Sequence, residues 1–307
     1  MENKNRDYED DIDLSEIFTT LWNRKFVIIL ITTIFAIVSV YYSLSLPNIY
    51  SSSTVLAPTT QDDSLDSKLS GYRSLAGIAG INIPKGQLTQ SEESVERMIS
   101  YDFFVSEFLP YVNLEDLMAV EKWIPETNQI IYNEEEFDNK NSEWIRKASF
   151  PSESLPSKQE AYREYQGLID LDVSEKNSLV TLTVEHHSPY IAKEWVALIV
   201  KNINNHMREL DKIEAENSII FLQDASKDNN IFEIQAVISE LLRTQIQTLM
   251  LVEANINYVF KTISSPLVPE KKSKPARAIL CIFGTIIGFI FSILIVLASA
   301  FINNKRL

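Results

Sequence analysis

FVIILITTIFAIVSVYYSLSL, residues 26–46, and AILCIFGTIIGFIFSILIVLASAFI, residues 278–302, run for 21 and 25 positions without a charged side chain. An α-helix rises about 1.5 Å per residue, so ~20 residues cross the ~30 Å hydrocarbon core of a bilayer. Both runs are long enough to be transmembrane helices. A cleaved signal peptide is a poor alternative for the first, because 25 residues precede it and no small-residue cleavage site follows Leu46. The chain of 307 residues thus divides into a tail (1–25), a span (26–46), a segment of 231 residues (47–277), a second span (278–302) and a short tail (303–307).

The 28 Lys and Arg and 42 Asp and Glu, net −14, are unevenly shared among these parts. Residues 1–25 carry four bases (Lys4, Arg6, Arg24, Lys25) and seven acids, residues 47–277 carry 22 bases and 35 acids, and Lys305 and Arg306 lie in the last tail. Arg24 and Lys25 abut the first span, and no charge follows it until Asp62. The positive-inside rule therefore puts the N-terminus in the cytoplasm, and two spans return the C-terminus there. Lys271, Lys272, Lys274 and Arg277, just before the second span, run against this. They belong to a long loop, which translocates largely regardless of charge. The tails have no room for a domain, so function belongs to the exterior segment and the spans. An acidic chain lacks the clustered Lys and Arg that release counterions from a phosphate backbone, so nucleic acid is excluded as a partner. The acidity fits solubility and repulsion of anionic headgroups by a standing scaffold. The single cysteine, Cys281, makes no intramolecular disulfide.

Within the exterior segment, Tyr50–Leu56 reads as a strand ending at Pro58. Residues 61–90 hold Gly71, Gly77, Gly80 and Gly86 around the apolar stretch Leu75–Ile83, which suits a loop packed against a neighbour. Glu92–Phe108 has near-helical spacing and predicts one amphipathic helix. Tyr111–Ser157 is acidic and rich in turn formers and predicts a loop with short helices. Leu168–Val173 and Leu179–Glu185 alternate with period two, joined by Ser174–Ser178, and predict a hairpin. Ser188-Pro189 supplies an N-cap and a first-turn proline for a long helix of about 188–226. A return helix of about 231–254 follows through a short connection. A rod of almost 40 residues is roughly 60 Å long and outruns a small domain's core, so two such helices need neighbours from other subunits. Tyr258–Ile263 predicts a last strand, and Pro266, Pro269 and Pro275 then prevent helix and sheet alike, giving a stiff extended lead into the second span.

No catalytic signature is present: no phosphate loop, no Gly-x-Ser-x-Gly and no His-Glu-x-x-His. His186 and His187 are adjacent on a strand end, so they point to opposite faces and cannot share a metal. His206 is expected on a solvated or subunit-facing stripe. Glu134-Glu135-Glu136 is expected in a solvated loop, since the glycine and alternating ligands of a Ca²⁺ loop are missing. In the second span Gly284, Gly288 and Ser292 form a small-x-x-x-small ridge, and the first has Ser39 and Ser43 at the same spacing. Such ridges let helices approach closely, so spans of one subunit or of neighbours are expected to pack there.

Asp11-Ile-Asp-Leu-Ser-Glu-Ile-Phe18, Leu21-Trp22-Asn-Arg-Lys25 and Leu46-Pro47-Asn48-Ile-Tyr50 resemble the N-terminal signature of the Wzz-type bacterial chain-length determinants, the polysaccharide co-polymerases. Further matches follow in order: Leu75–Ile83, Pro156-Ser-Lys-Gln-Glu-Ala-Tyr162, Ser188-Pro189 with Ala192 and Trp195, Ile203-Asn204, and the Pro266–Pro275 run into the Gly-x-x-x-Gly span. The resemblance implies an α+β membrane protein of the bacterial inner membrane. Two transmembrane helices would flank a periplasmic domain with a small membrane-proximal α/β base and a long helical arm, assembled as a homo-oligomeric ring. It also implies a regulator, without catalysis or cofactor, that sets the modal length of O-antigen or a related cell-surface polysaccharide in lipopolysaccharide biosynthesis. Its partners would be a membrane-embedded polysaccharide polymerase, the lipid-linked growing polysaccharide and the lipid bilayer. Related co-polymerases append a cytoplasmic tyrosine kinase, and with Leu307 five residues past the second span the expectation is the class without one.

On this reading Pro266, Pro269, Pro275, Gly284, Gly288 and Ser292 serve transmembrane packing and polymerase coupling. Gly71, Leu75, Gly77 and Gly80 serve subunit contact. An alternative is a capsule or polysaccharide export component bridging inner and outer membranes. A two-span sensor would need a second site on which to act, and the tails offer none.

Overall fold

A computed structural model describes residues 19, 21–59, 89–228 and 232–304. In chain order these residues form helix α1 (Lys25–Ser45), strand β1 (Tyr50–Pro58), helices α2 (Gln90–Met98) and α3 (Leu114–Met118), strands β2 (Val120–Ile124) and β3 (Gln129–Tyr132), and the two-residue strands β4 (Phe137–Asp138) and β5 (Glu143–Trp144). Helix α4 (Lys158–Leu168), strands β6 (Ile169–Val173) and β7 (Val180–His186), helices α5 (Pro189–Asp228) and α6 (Phe232–Ala254), strand β8 (Phe260–Ser264) and helix α7 (Arg277–Asn304) follow. The chain divides into two compact units, one holding α1 and α7 and the other Ile49–Lys272.

In the Ile49–Lys272 unit a four-stranded sheet has the order β6-β7-β1-β8, antiparallel throughout. Tyr50 pairs with His186 and Leu56 with Val180, so the two ends of the sheet are set by the ends of β1. Period-two alternation puts Val180, Leu182, Val184 and His186 of β7 and Ser52, Thr54 and Leu56 of β1 on the buried face. The two buried hydroxyls on β1 are satisfied: Ser52 Oγ donates to the Leu267 carbonyl (2.8 Å) and Thr54 Oγ1 to that of Ser264 (2.6 Å). Helix α5 covers the sheet with Ala192, Trp195, Val196, Ile199, Ile203 and Met207, one face at steps of three and four. Phe103, Phe104, Phe108 and Tyr165 close the core from the other elements.

Two expectations are corrected here. Glu92–Phe108 is not one helix: α2 ends at Met98, and Ser100 caps a new start by accepting the Phe103 N–H (3.2 Å). A side-chain oxygen that takes a backbone donor competes with helix continuation. The chain then tightens into a π-helical turn, Phe104–Phe108, which brings Phe103, Phe104 and Phe108 all into the core. Tyr111–Ser157 is more ordered than a loop with short helices, holding the β2–β3 hairpin and the β4–β5 pair beside α3. Helix α4, absent from the sequence reading, begins with a capping box in which Ser157 Oγ accepts the Glu160 N–H and Glu160 accepts the Ser157 N–H. Gly71, Leu75, Gly77 and Gly80 lie outside the described residues.

Candidate functional site

Helices α1 and α7 are long and apolar enough to cross a membrane. They run antiparallel, and small residues mark the contact. A Cβ built on Gly284 would lie 2.3 Å from Ser39 Oγ, and one on Gly288 2.4 Å from Phe35 Cβ, so neither position accepts a larger side chain without a shift. Ser39 Oγ donates to the Leu280 carbonyl (3.0 Å), and the rings of Phe35 and Phe291 stand 5.8 Å apart. Ser292 is fully buried and returns its hydroxyl to the Phe289 carbonyl (2.7 Å). Arg24 donates to Ser299 at one end of the pair, and at the other Arg277 donates to Asn48 Oδ1 (3.1 Å). Pro275 belongs to this end, its carbonyl accepting the Arg277 N–H (2.9 Å).

Pro266 and Pro269 belong to the Ile49–Lys272 unit, so the six residues grouped by sequence fall in two places. Pro266 lines a groove of about 270 Å³ with Thr54, Lys201, Asn204, Asn205 and Asn257. Asn204 explains why β8 returns to this spot. Its Oδ1 accepts the N–H groups of Val259 (2.8 Å) and Phe260 (2.9 Å), and its Nδ2 donates to the carbonyls of Phe260 and Val200. A buried amide so fully satisfied fixes the chain's path back from the arm. The sequence contains no local signal for this role, because an asparagine on an apolar helix face shows its partners only after folding.

The two helices of the arm separate buried from open surface. Beyond Met207, α5 buries only Ala215 among its described residues, whereas Ile213, Ile220 and Phe221 are exposed. Helix α6 lies back along α5, with Lys212 Nζ 2.7 Å from Glu253 Oε1, yet exposes Phe232, Val237, Leu241, Ile246 and Met250. At the base of the arm Asp211 accepts from Tyr258 Oη (2.6 Å) and Gln90 Nε2 (2.5 Å), and burial raises its pKa.

His186 is buried and serves the fold. Its Nδ1 accepts the Ser188 N–H (2.9 Å), which leaves the proton on Nε2, donated to the Asp116 carbonyl (2.9 Å). Burial pushes its pKa down from 6.5 to about 4. His206 is neither fully solvated nor fully covered within one chain. It is partly buried within its own unit, with Nδ1 3.1 Å from Glu107 Oε1 and its ring edge-on to Phe103. Glu134 and Glu135 are exposed in a turn, as a solvated charge run should be. Arg146 and the Ser157 N–H hold Glu160 down to about 2 and lock the start of α4. Among the described residues no three His, Cys, Asp or Glu side chains gather to hold a metal ion.

Residues 10–101 match the Wzz family, chain length determinant protein. The matched stretch contains α1, β1 and α2, whereas the arm and α7 lie beyond it. Comparison with curated proteins finds no match. Among solved structures, the chain is similar to a full-length bacterial polysaccharide co-polymerase at 12% identity and TM-score 0.41, covering 95% of this chain and 99% of that one. It is also similar to a fragment of WzzB, polysaccharide co-polymerase from Salmonella Typhimurium, at 12% identity and TM-score 0.29, covering 74% of this chain and 100% of that one.

Proposed function

We propose that this chain is a two-span protein of the bacterial inner membrane that sets the modal length of O-antigen or a related surface polysaccharide. Residues 47–277 stand in the periplasm and both termini in the cytoplasm. The match of residues 10–101 to the chain length determinant family carries the reading. The two apolar helices that bracket the Ile49–Lys272 unit support its placement in the membrane.

The protein works without catalysis, as a homo-oligomeric scaffold presented to a membrane polymerase and its lipid-linked product. Exposed Ile220, Phe221, Val237 and Leu241 on the arm support oligomerisation, since contiguous apolar stripes in water are covered by protein. The α1–α7 pair, with Pro275 at its end, is the part available to a polymerase inside the bilayer, while Pro266 and Pro269 lead toward it. Residues 71–80 contribute to subunit contact. Deletion of the gene, followed by electrophoresis of the surface polysaccharide, tests this: the modal band disappears and returns on complementation. An unchanged ladder refutes the proposal, and loss of surface polymer at unchanged length would assign the chain to export instead.

A further inference from the structure

Strand β1 begins at Tyr50, five Cα steps after Ser45 ends α1. An extended chain covers at most about 3.5 Å per residue, so Tyr50 lies within roughly 18 Å of the end of α1. The headgroup layer outside a ~30 Å hydrocarbon core is about 5–8 Å thick on each side. With α1 read as a span, as proposed above, the Tyr50 end of the sheet is held near the bilayer surface by chain length alone.

Three aromatic rings from three different elements meet at that end. Tyr50 of β1 stands edge-on to Trp123 of β2, centroids 5.4 Å apart, and Trp123 is 6.1 Å from Tyr190 in the first turn of α5. The core aromatics Phe103, Phe104, Phe108 and Tyr165 are all buried, whereas Tyr190 is 50% exposed and Tyr50 and Trp123 are only partly covered. The open cluster is made of Tyr and Trp without Phe. Those two combine an apolar ring with a polar edge and concentrate where hydrocarbon meets water. Trp123 Nε1 donates to Asn128 Oδ1 (2.8 Å) in the turn of its own hairpin, so its polar edge is satisfied within the hairpin and the ring can enter the interface without an unmet donor. We infer that Tyr50, Trp123 and Tyr190 form an interfacial anchor, docking the Tyr50 end of the sheet on the phospholipid headgroups of the leaflet that α1 leaves. The exterior segment is acidic, with 22 bases against 35 acids. The contact is therefore made by rings among zwitterionic headgroups and is insensitive to salt, unlike a polybasic attachment.

The test uses the full-length protein in phosphatidylcholine nanodiscs with Cys281→Ala and one spin label at a time. The sites are Thr127→Cys in the β2–β3 turn, Lys176→Cys in the turn at the opposite end of the sheet, and Ile37→Cys on the exposed face of α1. Collision with oxygen reports lipid, and collision with a water-soluble nickel chelate reports water. The expected order of nickel access is Lys176 highest, Thr127 at least about threefold lower with raised oxygen access, and Ile37 lowest. Adding Trp123→Ala with Tyr190→Ala should return Thr127 to the Lys176 value. Thr127 as open to nickel as Lys176 while Ile37 is shielded overturns the anchor alone. Low access of Thr127 to both reagents, the mark of burial against protein, also overturns it. Nickel access at Ile37 overturns the span itself and the anchor with it.

Discussion

Among the described residues stand two antiparallel helix pairs, α1 with α7 and α5 with α6, and both leave large apolar side chains uncovered. They do so differently. In the first pair the exposed Ile29, Leu30, Ile34 and Ile37 and the exposed Ile282, Phe283, Ile286 and Ile290 surround the contact, with no charge between residues 26 and 46 or 278 and 302. In the second, exposed Ile220, Phe221, Leu241 and Ile246 alternate with Lys212, Glu216, Asp224, Glu240 and Arg243. A helix apolar all round suits hydrocarbon, where no hydrophobic force drives pairing and close approach must supply the attraction. A striped helix suits water, where the stripe is driven under protein cover. The contacts follow suit: Gly284 and Gly288 meet Ser39 and Phe35 in one pair, and an ion pair, Lys212 with Glu253, joins the other.

The first way to break the contrast is to remove close approach in the pair whose contact runs through glycines. Gly284→Leu with Gly288→Leu places side chains where a single Cβ already meets atoms at 2.3 and 2.4 Å. The helices must part, and loss of the modal polysaccharide band is expected. Spin labels at the exposed Tyr42 and Ile282, with Cys281→Ala, should change from one narrow distance to a broad distribution several ångströms longer, on the order of a side chain's reach. An unchanged distance and an unchanged band would show that the glycines do not set the contact. The matching change in the arm is Ile220→Asp with Phe221→Asp. Two uncompensated carboxylates in a dry interface should weaken oligomers by at least about 100-fold, while circular dichroism stays constant because both side chains are exposed within one chain. Light scattering in detergent reads the mass, and an unchanged oligomer would assign the stripe to some other partner.

The two pairs were also unequally legible. The two long apolar helices declare themselves because an uncharged run of 21 or 25 residues needs no tertiary context. Ser188-Pro189 likewise marks the start of α5, and alternation marks β6 and β7, because those signals are local. Thr89-x-x-Glu92 and Ser157-x-x-Glu160 are equally local start signals, and both mark helices through capping boxes. What sequence could not convey depends on distant partners. The helical spacing of Val95, Met98 and Phe103 continues across a break made by Ser100, since periodicity describes a face and not the backbone behind it. Asn204 and His186 acquire their roles only when β8 and α3 reach them. The candidate site divided for the same reason: Gly284, Gly288 and Ser292 share one helix face, whereas the prolines follow the chain from one unit into the other.

His186 offers a smaller effect, confined to the Ile49–Lys272 unit. Its folded pKa, about 4, lies below the ordinary 6.5, so the folded state binds fewer protons than the unfolded state between those values. Its neutral form therefore contributes fully above pH ~6.5, and the contribution is lost as pH falls through that window, by about 3 kcal/mol at most. Protonation would put a second N–H against the Ser188 donor. Thermal melts of the wild type should fall steeply from pH 6.5 to 4. His186→Gln, which keeps one donor and one acceptor without a titrating group, should flatten that slope even if its melt at pH 7 is lower. Equal slopes would show that other groups carry the acid sensitivity.

The smallest effect sharpens what the span glycines are for. Gly167 sits near the end of α4, exposed, with nothing within 4 Å of the place a Cβ would occupy and a φ that is not left-handed. There the absence of a side chain permits no approach and makes no turn; it only widens the unfolded ensemble. Gly167→Ala should therefore stabilise the protein by about 0.5–1 kcal/mol, the opposite sign to any enlargement at Gly284 or Gly288. Urea denaturation of the purified protein reads this as a higher midpoint at constant slope. A lower midpoint would mean that Gly167 faces a neighbouring subunit at close range, placing α4 beside the arm among the surfaces through which copies of the chain meet.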